Sequence, residues 1–175
     1  MFEMRPVTSD NPDLPRIEEL YNRAFPKNER GPFAPLMTVS PELGRVLAFY
    51  DDDLFCGFAC LIINGHFVHM IYFAIEEALR GRGYGSAALK ALRQSLPDKH
   101  LIVDIEADTS PAANLRQRHE RRHFYLSNGF TPSGVHCHWR GELYELLTMG
   151  GTVTKWQYQR FWKQVVEKQP FMARY

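Results

Sequence analysis

The feature that most constrains this chain is a glycine-rich segment placed between a strand pattern and a helix pattern. The apolar run His66–Ile75 predicts a strand, and Arg80-Gly81-Arg82-Gly83-Tyr84-Gly85-Ser86 follows it closely. Beyond it, small and apolar residues recur at the spacing of one helical face: Gly85, Ala88, Leu89, Leu92 and Leu96. Glycines at such a junction let the backbone approach whatever binds at the start of the helix.

The chemistry of this segment favours an anionic ligand. The first N–H groups of a helix have no partner within the helix, so they attract phosphate groups. Arg80 and Arg82 add charged hydrogen-bond donors. We therefore predict a phosphate-bearing ligand here, with an ordinary glycine-rich turn as the alternative.

Two common nucleotide motifs fit this segment poorly. It lacks the Gly-Lys-Ser/Thr of a nucleoside-triphosphate loop. Gly81-x-Gly83-x-x-Ser86 imitates a dinucleotide fingerprint, and Asp104 stands about 20 residues further on, as that motif requires. However, residues 76–80 separate the strand from the first glycine, and the strands that precede it are predicted to be antiparallel. The dinucleotide interpretation is therefore disfavoured.

The first half of the chain is predicted to be largely antiparallel. Phe2–Val7 predicts a strand, and a helix follows with Asp10 or Asn11 as its cap and Pro12 in its first turn. The proline-rich stretch Phe25–Pro41 predicts a long loop, which in a small domain is usually functional or mobile. A meander of three strands comes next: Val46–Tyr50, Leu54–Ile63 and His66–Ile75. The last two are predicted to turn at Asn64-Gly65, since both residues tolerate positive φ.

The second half begins with a change of pattern. Leu101–Ile105 predicts a strand after the helix, which implies a parallel crossover. A second helix is predicted to begin at Ser110-Pro111 and to end at Gly129. Phe130–Trp139 and Leu143–Met149 predict a final strand pair. A last helix, at about 152–168, carries an apolar stripe: Trp156, Tyr158, Phe161, Trp162 and Val165.

Together these elements predict an α/β (α+β) protein, with one mixed, mostly antiparallel sheet flanked by helices. At 175 residues the chain is predicted to be a single domain over 1–175. Its 21 Lys and Arg nearly balance 20 Asp and Glu, so the net charge of +1 argues against a nucleic-acid partner. No apolar run approaches the length of a membrane span, and no signal peptide precedes the first strand. Three cysteines at loose spacing favour a reducing, cytoplasmic compartment.

Two motifs together resemble a known superfamily. Arg80-x-x-Gly83-x-Gly85 follows a strand that ends Phe73-Ala74-Ile75, and Phe124-Tyr125-Leu126-Ser127-Asn128-Gly129-Phe130 lies about 40 residues further on. In this order, with a strand between, they resemble the acyl-CoA motif and the second motif of the GNAT N-acetyltransferases. The order of elements over about 2–149 also matches that fold, and the last helix lies outside its common core.

The resemblance implies acetyl-CoA as cosubstrate. It places the pantetheine arm against the backbone of Phe73 and Ile75. It places the pyrophosphate on the glycine loop, with Asn114 as a further contact near the second motif. The implied cofactor residues are Phe73, Ile75, Arg80, Gly81, Arg82, Gly83, Tyr84, Gly85, Ser86 and Asn114.

The resemblance also implies catalytic candidates. Tyr125 would protonate the leaving thiolate, and a backbone N–H of the fourth strand would stabilise the oxyanion. Glu106, at a strand end, is a candidate base or acceptor-binding residue, and Glu29 of the first loop is a second. His69 stands where some members use a proton-relay histidine, although Ile71 occupies the partner position. For each of these residues the alternative is an ordinary packing or surface role.

Other chemistries are less well supported. Cys56 and Cys60 fit small core residues better than nucleophiles. In His136-Cys137-His138 the cysteine faces away from the histidines, and no second ligand cluster accompanies them, so no metal is predicted. The arginine-rich stretch 116–122 fits a solvated helix face, with contact to a CoA phosphate as the alternative.

The sequence therefore predicts an enzyme that transfers acetyl from acetyl-CoA to a primary amine, by direct attack in a ternary complex. The aromatic, proline-rich first loop slightly favours a small amine over a peptide. A lysine or N-terminal amine of a protein is the alternative acceptor. A non-catalytic acyl-CoA sensor and an arginine-helix nucleic-acid module are the competing classes. The protein is expected to be a monomer or a homodimer.

Overall fold

The sheet is the centre of the computed structural model, which describes residues 1–108 and 112–175. Seven strands are hydrogen-bonded in the order β1-β2-β3-β4-β5-β7-β6. Only the β4–β5 pair is parallel, so the predicted fold class is confirmed. The strands are β1 (Phe2–Pro6), β2 (Gly44–Asp51), β3 (Leu54–Asn64), β4 (Phe67–Ile75), β5 (His100–Glu106), β6 (Thr131–Trp139) and β7 (Glu142–Met149).

In the described part of the chain, five α-helices cover the two faces of the sheet. They are α1 (Leu14–Ala24), α2 (Phe33–Leu36), α3 (Tyr84–Ser95), α4 (Leu115–Ser127) and α5 (Lys155–Lys168). Helices α1, α2 and α5 pack on one core with Phe58, Tyr72 and Ala74, whereas α3 and α4 pack on a second core with Val68 and Met70. We call these the α1/α5 face and the α3/α4 face. None of the helices in the described ranges has the length and apolarity needed to cross a bilayer.

Some helix ends differ from the sequence prediction. The α1 helix begins at Leu14 after Asp13, because the Asn11 side chain accepts a hydrogen bond from the Asp13 N–H in a preceding turn, so the predicted cap at Asp10 or Asn11 is wrong. The predicted start at Ser110 and Pro111 lies outside the described residues. At the other end of α4, Gly129 has the predicted positive φ, +91°.

The last helix also differs in one detail. Its first turn is closed by a capping box between Thr154 and Gln157, and its buried side chains are Phe161 and Val165. Trp156 is 63% exposed and stacks beneath the Arg160 guanidinium, so it does not belong to the apolar stripe.

The hairpin between β3 and β4 turns one residue later than predicted. Asn64 pairs with Phe67, so the two-residue turn is Gly65-His66, with a φ of +60° at Gly65. A side chain at the first turn position would be strained at that φ, and glycine is therefore the residue that sets the register.

The crossover from β4 through α3 to β5 is parallel, as predicted, but the pairing is short. It comprises Phe67↔His100, Val68↔Leu101 and His69↔Ile102. Directly afterwards β4 contains a bulge: Met70 pairs with Leu61 of β3 and Tyr72 pairs with Cys60, which leaves Ile71 as the extra residue. A bulge bends a strand and reverses which side chains face each side. The edge of β4 that faces β5 is consequently unpaired from Met70 onward.

Candidate active site

A cavity of about 1480 Å³ lies where β4 and β5 separate. Its lining includes Phe73 and Ile75 of β4, Val103 and Ile105 of β5, and side chains from helices on both faces of the sheet. The cavity therefore passes through the sheet, from the α3/α4 face to the α1/α5 face. Any two ligands bound from opposite faces would meet in the gap between the two strands.

The glycine loop lies at the α3/α4 end of this cavity. Gly81 and Gly83 have φ values of +74° and +86°, and Gly83 immediately precedes α3. Nothing lies within 4 Å of a Cβ placed at either residue, so positive φ rather than crowding requires glycine there. A Cβ at Gly85 would lie 3.0 Å from the Phe124 ring, which indicates close packing of α3 on α4.

Eight of the ten predicted cofactor residues line the cavity. They are Phe73, Ile75, Arg80, Gly81, Gly83, Gly85, Ser86 and Asn114. Arg82 and Tyr84 do not: Arg82 is exposed, and the Tyr84 hydroxyl donates a hydrogen bond to Asp51 at 3.1 Å. The Arg80 side chain is held against the end of β4 because its Nε donates to the carbonyl of Ile75 at 3.3 Å.

Tyr125 reaches the cavity from α4. It is buried, and its ring packs edge-on against Phe124 and Phe130. Burial raises the pKa of its hydroxyl, so the group keeps its proton at neutral pH. Within the described ranges that hydroxyl makes no hydrogen bond, which leaves its proton available to a ligand.

Glu106 borders the cavity, but both of its carboxylate oxygens are bound by α4. Arg118 and Arg121 each lie 3.3 Å from one oxygen, and the Asn114 amide donates at 3.1 Å. Glu106 and Arg118 are each 7% exposed. The Arg118 guanidinium also donates to the carbonyl of Ala107 at 2.9 Å. This cluster joins the start of α4 to the end of β5, and it neutralises the carboxylate that it buries.

His69 is buried between two partners. The Trp162 indole N–H donates to His69 Nδ1 at 3.1 Å, and Nε2 lies 2.6 Å from Oδ1 of Asp104. Because an indole nitrogen can only donate, Nδ1 accepts and the proton resides on Nε2. The imidazole therefore connects α5 to a carboxylate of β5 and has no nitrogen left for a ligand.

Asp104 also belongs to this site, although no sequence motif predicted it there. His69 pairs with Ile102, so Asp104, two residues along β5, faces the same side of the sheet as His69. Its carboxylate is about a quarter exposed and borders the cavity. The register between β4 and β5 would have located it, but sequence alone does not provide that register.

Glu29 enters the cavity from the long first loop. Burial raises the pKa of its carboxyl group, and the Glu106 carboxylate raises it further. Tyr144 of β7 borders the same region, and its pKa is raised by burial and then by Glu29 and Asp104. Arg121 and Arg118 lower the pKa of Glu29 and offset this in part, but the pKa of the carboxyl group stays raised. The carboxylates of Glu29 and Asp104 could therefore stabilise a cation in this part of the cavity.

The cysteines are poor nucleophiles. Cys56 and Cys60 are buried and unpaired, and burial raises the pKa of Cys60. Cys137 borders the cavity, where burial and then Asp104 raise the pKa of its thiol to about 11. All three remain thiols at neutral pH. In the described part of the chain, no three His, Cys, Asp or Glu residues form a group that could hold a metal ion.

Comparisons with known proteins agree with this geometry. The profile of the acetyltransferase (GNAT) family matches residues 14–130. A GNAT-family acetyltransferase structure from Bacteroides thetaiotaomicron has a TM-score of 0.76 and 24% identity, and covers 94% of this chain and 96% of its own. No curated protein matches the chain.

Two further structures share the fold. The ribosomal-protein-S18-alanine N-acetyltransferase of Escherichia coli has a TM-score of 0.61 and 18% identity, over 88% of this chain and 96% of its own. A GNAT acetyltransferase from Elizabethkingia anophelis with acetyl-CoA bound has a TM-score of 0.58 and 16% identity, over 85% of this chain and 97% of its own. At these identities the likeness shows a common fold.

The Glu106 cluster predicts a large difference between two arginines of α4. Arg118→Met should lower the free energy of unfolding by roughly 3–5 kcal/mol, because it leaves Glu106 buried without its main partner. Arg116→Met is the matched control, since Arg116 is 91% exposed and pairs with the exposed Glu120 one turn later on the same helix. It should cost less than about 1 kcal/mol. Urea unfolding measures both, and equal losses would contradict the buried-pair assignment.

Proposed function

This chain belongs to the GNAT family of acetyltransferases, and we propose that its acetyl-CoA-dependent transfer takes place in the gap between β4 and β5, onto a small primary amine. One observation carries the proposal: a single cavity crosses the sheet at that gap. The anion-binding glycine loop lies at one end, and the carboxylates of Glu29 and Asp104 lie towards the other. The anionic acetyl donor and the cationic acceptor would each bind at the end of the cavity that carries the opposite charge.

Acetyl-CoA would enter from the α3/α4 face. Its pyrophosphate would accept hydrogen bonds from the N–H groups of Gly81–Ser86 at the start of α3, with Arg80 beside it. The pantetheine arm carries amide groups, and the unpaired edge of β4 from Phe73 to Ile75 offers them backbone partners. The acetyl-CoA-bound structure from Elizabethkingia anophelis, which has the same fold, supports this cosubstrate.

The amine would arrive from the α1/α5 face as an ammonium ion. Asp104 would attract the charge, and Glu29, whose pKa is raised, would accept the proton that must leave before the nitrogen can attack. The neutral nitrogen then bonds to the thioester carbonyl carbon. A backbone N–H at the Ile71 bulge would stabilise the oxyanion. As the C–S bond breaks, the thiolate takes a proton from Tyr125, and the nitrogen, which became positively charged when it attacked, releases its second proton to solvent. Tyr125 is then reprotonated from solvent, and the products are the amide and CoA.

Two of the predicted catalytic residues are better suited to positioning. His69 uses both ring nitrogens on Asp104 and Trp162, so we propose that it orients Asp104 rather than relaying protons. Glu106 is held by three side chains of the α4 region, so we propose that it anchors this helix, and Tyr125 with it, beside the gap. Asn114 would act through the same cluster rather than on the cofactor.

Removing the Tyr125 hydroxyl should slow chemistry without weakening cosubstrate binding. We expect Tyr125→Phe to lower kcat by roughly 10²-fold, the usual contribution of a general acid, while calorimetric affinity for acetyl-CoA stays constant. Tyr50→Phe is the control, since its buried hydroxyl bonds Asp13 away from the cavity. Wild-type turnover by Tyr125→Phe at every pH would exclude the general-acid role.

Glu29→Gln should lower the catalytic rate without lowering the stability of the protein. Because Glu29 acts ionised, wild-type kcat/KM should rise with pH through a pKa above the usual 4.5. In the variant, kcat/KM should no longer rise with pH over this acid range, and the rate should fall roughly 10²-fold. A carboxyl group whose pKa is raised by folding lowers stability once it ionises, so at pH 7 the variant should be as stable as wild type or more stable.

The matched control for this experiment is Glu42→Gln, an exposed carboxylate. It should leave both the pH profile and the unfolding midpoint unchanged. If kcat/KM of Glu29→Gln still rises with pH over the acid range, a group other than Glu29 is the base.

A further inference from the structure

We infer that the acceptor is a small monoamine with an aromatic body, an assignment that rests on the proposed function and specifies its substrate class. The α1/α5 end of the cavity is lined by aromatic side chains from five separate segments of the chain. We call this end the aromatic chamber, and its rings are Phe25, Tyr72, Trp139, Tyr158, Trp162 and Tyr175.

Several rings of the chamber are held in place by packing against neighbouring rings. Phe25 and Tyr72 pack at a centroid distance of 4.9 Å with planes at 64°, and Tyr72 and Tyr175 at 6.4 Å and 83°. Trp162 meets His69 at 5.5 Å and is held there by its indole hydrogen bond. Rings in tilted and edge-on packing give a further ring both edge and face contacts. A flat apolar ligand therefore fits these walls better than a hydrated one.

On one side the chamber is bordered by three segments that Arg140, in the turn between β6 and β7, ties together, and we call this tie the closure. Its guanidinium donates to the carbonyls of Asn28 at 2.8 Å, Arg30 at 3.4 Å and Arg174 at 2.5 Å. The first loop, the β6–β7 turn and the 170–175 segment are thus tied together by one side chain. Arg140 has a φ of +48°, a conformation that non-glycine residues rarely adopt.

The 170–175 segment makes a second connection to the first loop. The Tyr175 hydroxyl donates to the carbonyl of Pro32, and a Cβ at Gly31 would lie 2.6 Å from the Tyr175 ring. This contact leaves no room for a peptide to pass between the segment and the loop. The closure therefore favours an acceptor short enough to lie within the chamber.

The charged residues of the cavity bear on how many amino groups the acceptor carries. The carboxylates of Glu29 and Asp104 border the cavity where the chamber meets the gap, so one ammonium group would face the thioester. On the α5 side, Lys155 borders the cavity along the same helix face as Tyr158 and Trp162. A second ammonium group on the acceptor would be repelled by Lys155, which disfavours diamines and polycations.

The test begins with the full-length wild-type protein and four acceptors. These are 2-phenylethylamine, hexylamine, 1,4-diaminobutane and a pentapeptide with a free N-terminal alanine, with thiol release as the readout. We expect kcat/KM for 2-phenylethylamine to exceed that for the diamine and the peptide by at least about tenfold, with hexylamine between. A preference for the diamine, the peptide or hexylamine would overturn the aromatic assignment.

A variant then tests the closure. Arg140→Ala should raise KM for 2-phenylethylamine at least about fivefold and reduce its advantage over the peptide, while the affinity for acetyl-CoA and the melting temperature stay close to wild type. Arg160→Ala is the matched control, because Arg160 is an exposed arginine of α5 whose guanidinium lies over the Trp156 ring. An unchanged KM and an unchanged preference in Arg140→Ala would contradict the role of the closure.

The outcomes separate this inference from the proposed function. If acetyl-CoA does not bind by calorimetry, both fail. If it binds and another amine class is preferred, the proposed function stands and the aromatic assignment fails. If it binds and 2-phenylethylamine is not acetylated, the aromatic assignment again fails.

Discussion

The short parallel pairing between β4 and β5 is the constraint on which the rest of the structure depends. Three residue pairs join the strands, and the bulge at Ile71 then turns β4 away. A closed sheet at this point would separate the α3/α4 face from the α1/α5 face. Because the sheet opens instead, two ligands of opposite charge can approach one another without either passing around the edge of the protein.

The positions of the charged side chains along the cavity are known only once the chain is folded. A net charge of +1 indicates no preference for an anionic or a cationic ligand, but individual charged side chains lie at particular places along the cavity. Arg80 borders the end that we propose binds an anion, and Glu29 and Asp104 border the region that would bind an ammonium group. Glu106 belongs to neither group, because the arginines of α4 neutralise it. We propose that the buried ion pair between Glu106 and Arg118 contributes more to the position of α4 than to the stability of the protein.

Sequence patterns predicted the parts of the site that are local. The glycine loop and the order of elements along the chain follow from short-range patterns, and Tyr125 was indicated by the resemblance of its motif to that of the GNAT family. Asp104 required the register between two strands, and Arg140 required knowing that a turn meets two distant segments. The partners of His69 could not be predicted for the same reason, since they lie 35 and 93 residues away in the sequence. The first loop was predicted as a long proline-rich connection, but its attachment to the 170–175 segment could not be predicted.

The most direct test of this account is a crystal structure of the protein with acetyl-CoA. The account predicts the pyrophosphate on the N–H groups of Gly81–Ser86, the pantetheine arm along β4 between Phe73 and Ile75, and the thioester in the gap within reach of Tyr125. It also predicts that the aromatic chamber stays open to a second ligand. Acetyl-CoA bound elsewhere, or a thioester directed away from the gap, would contradict it.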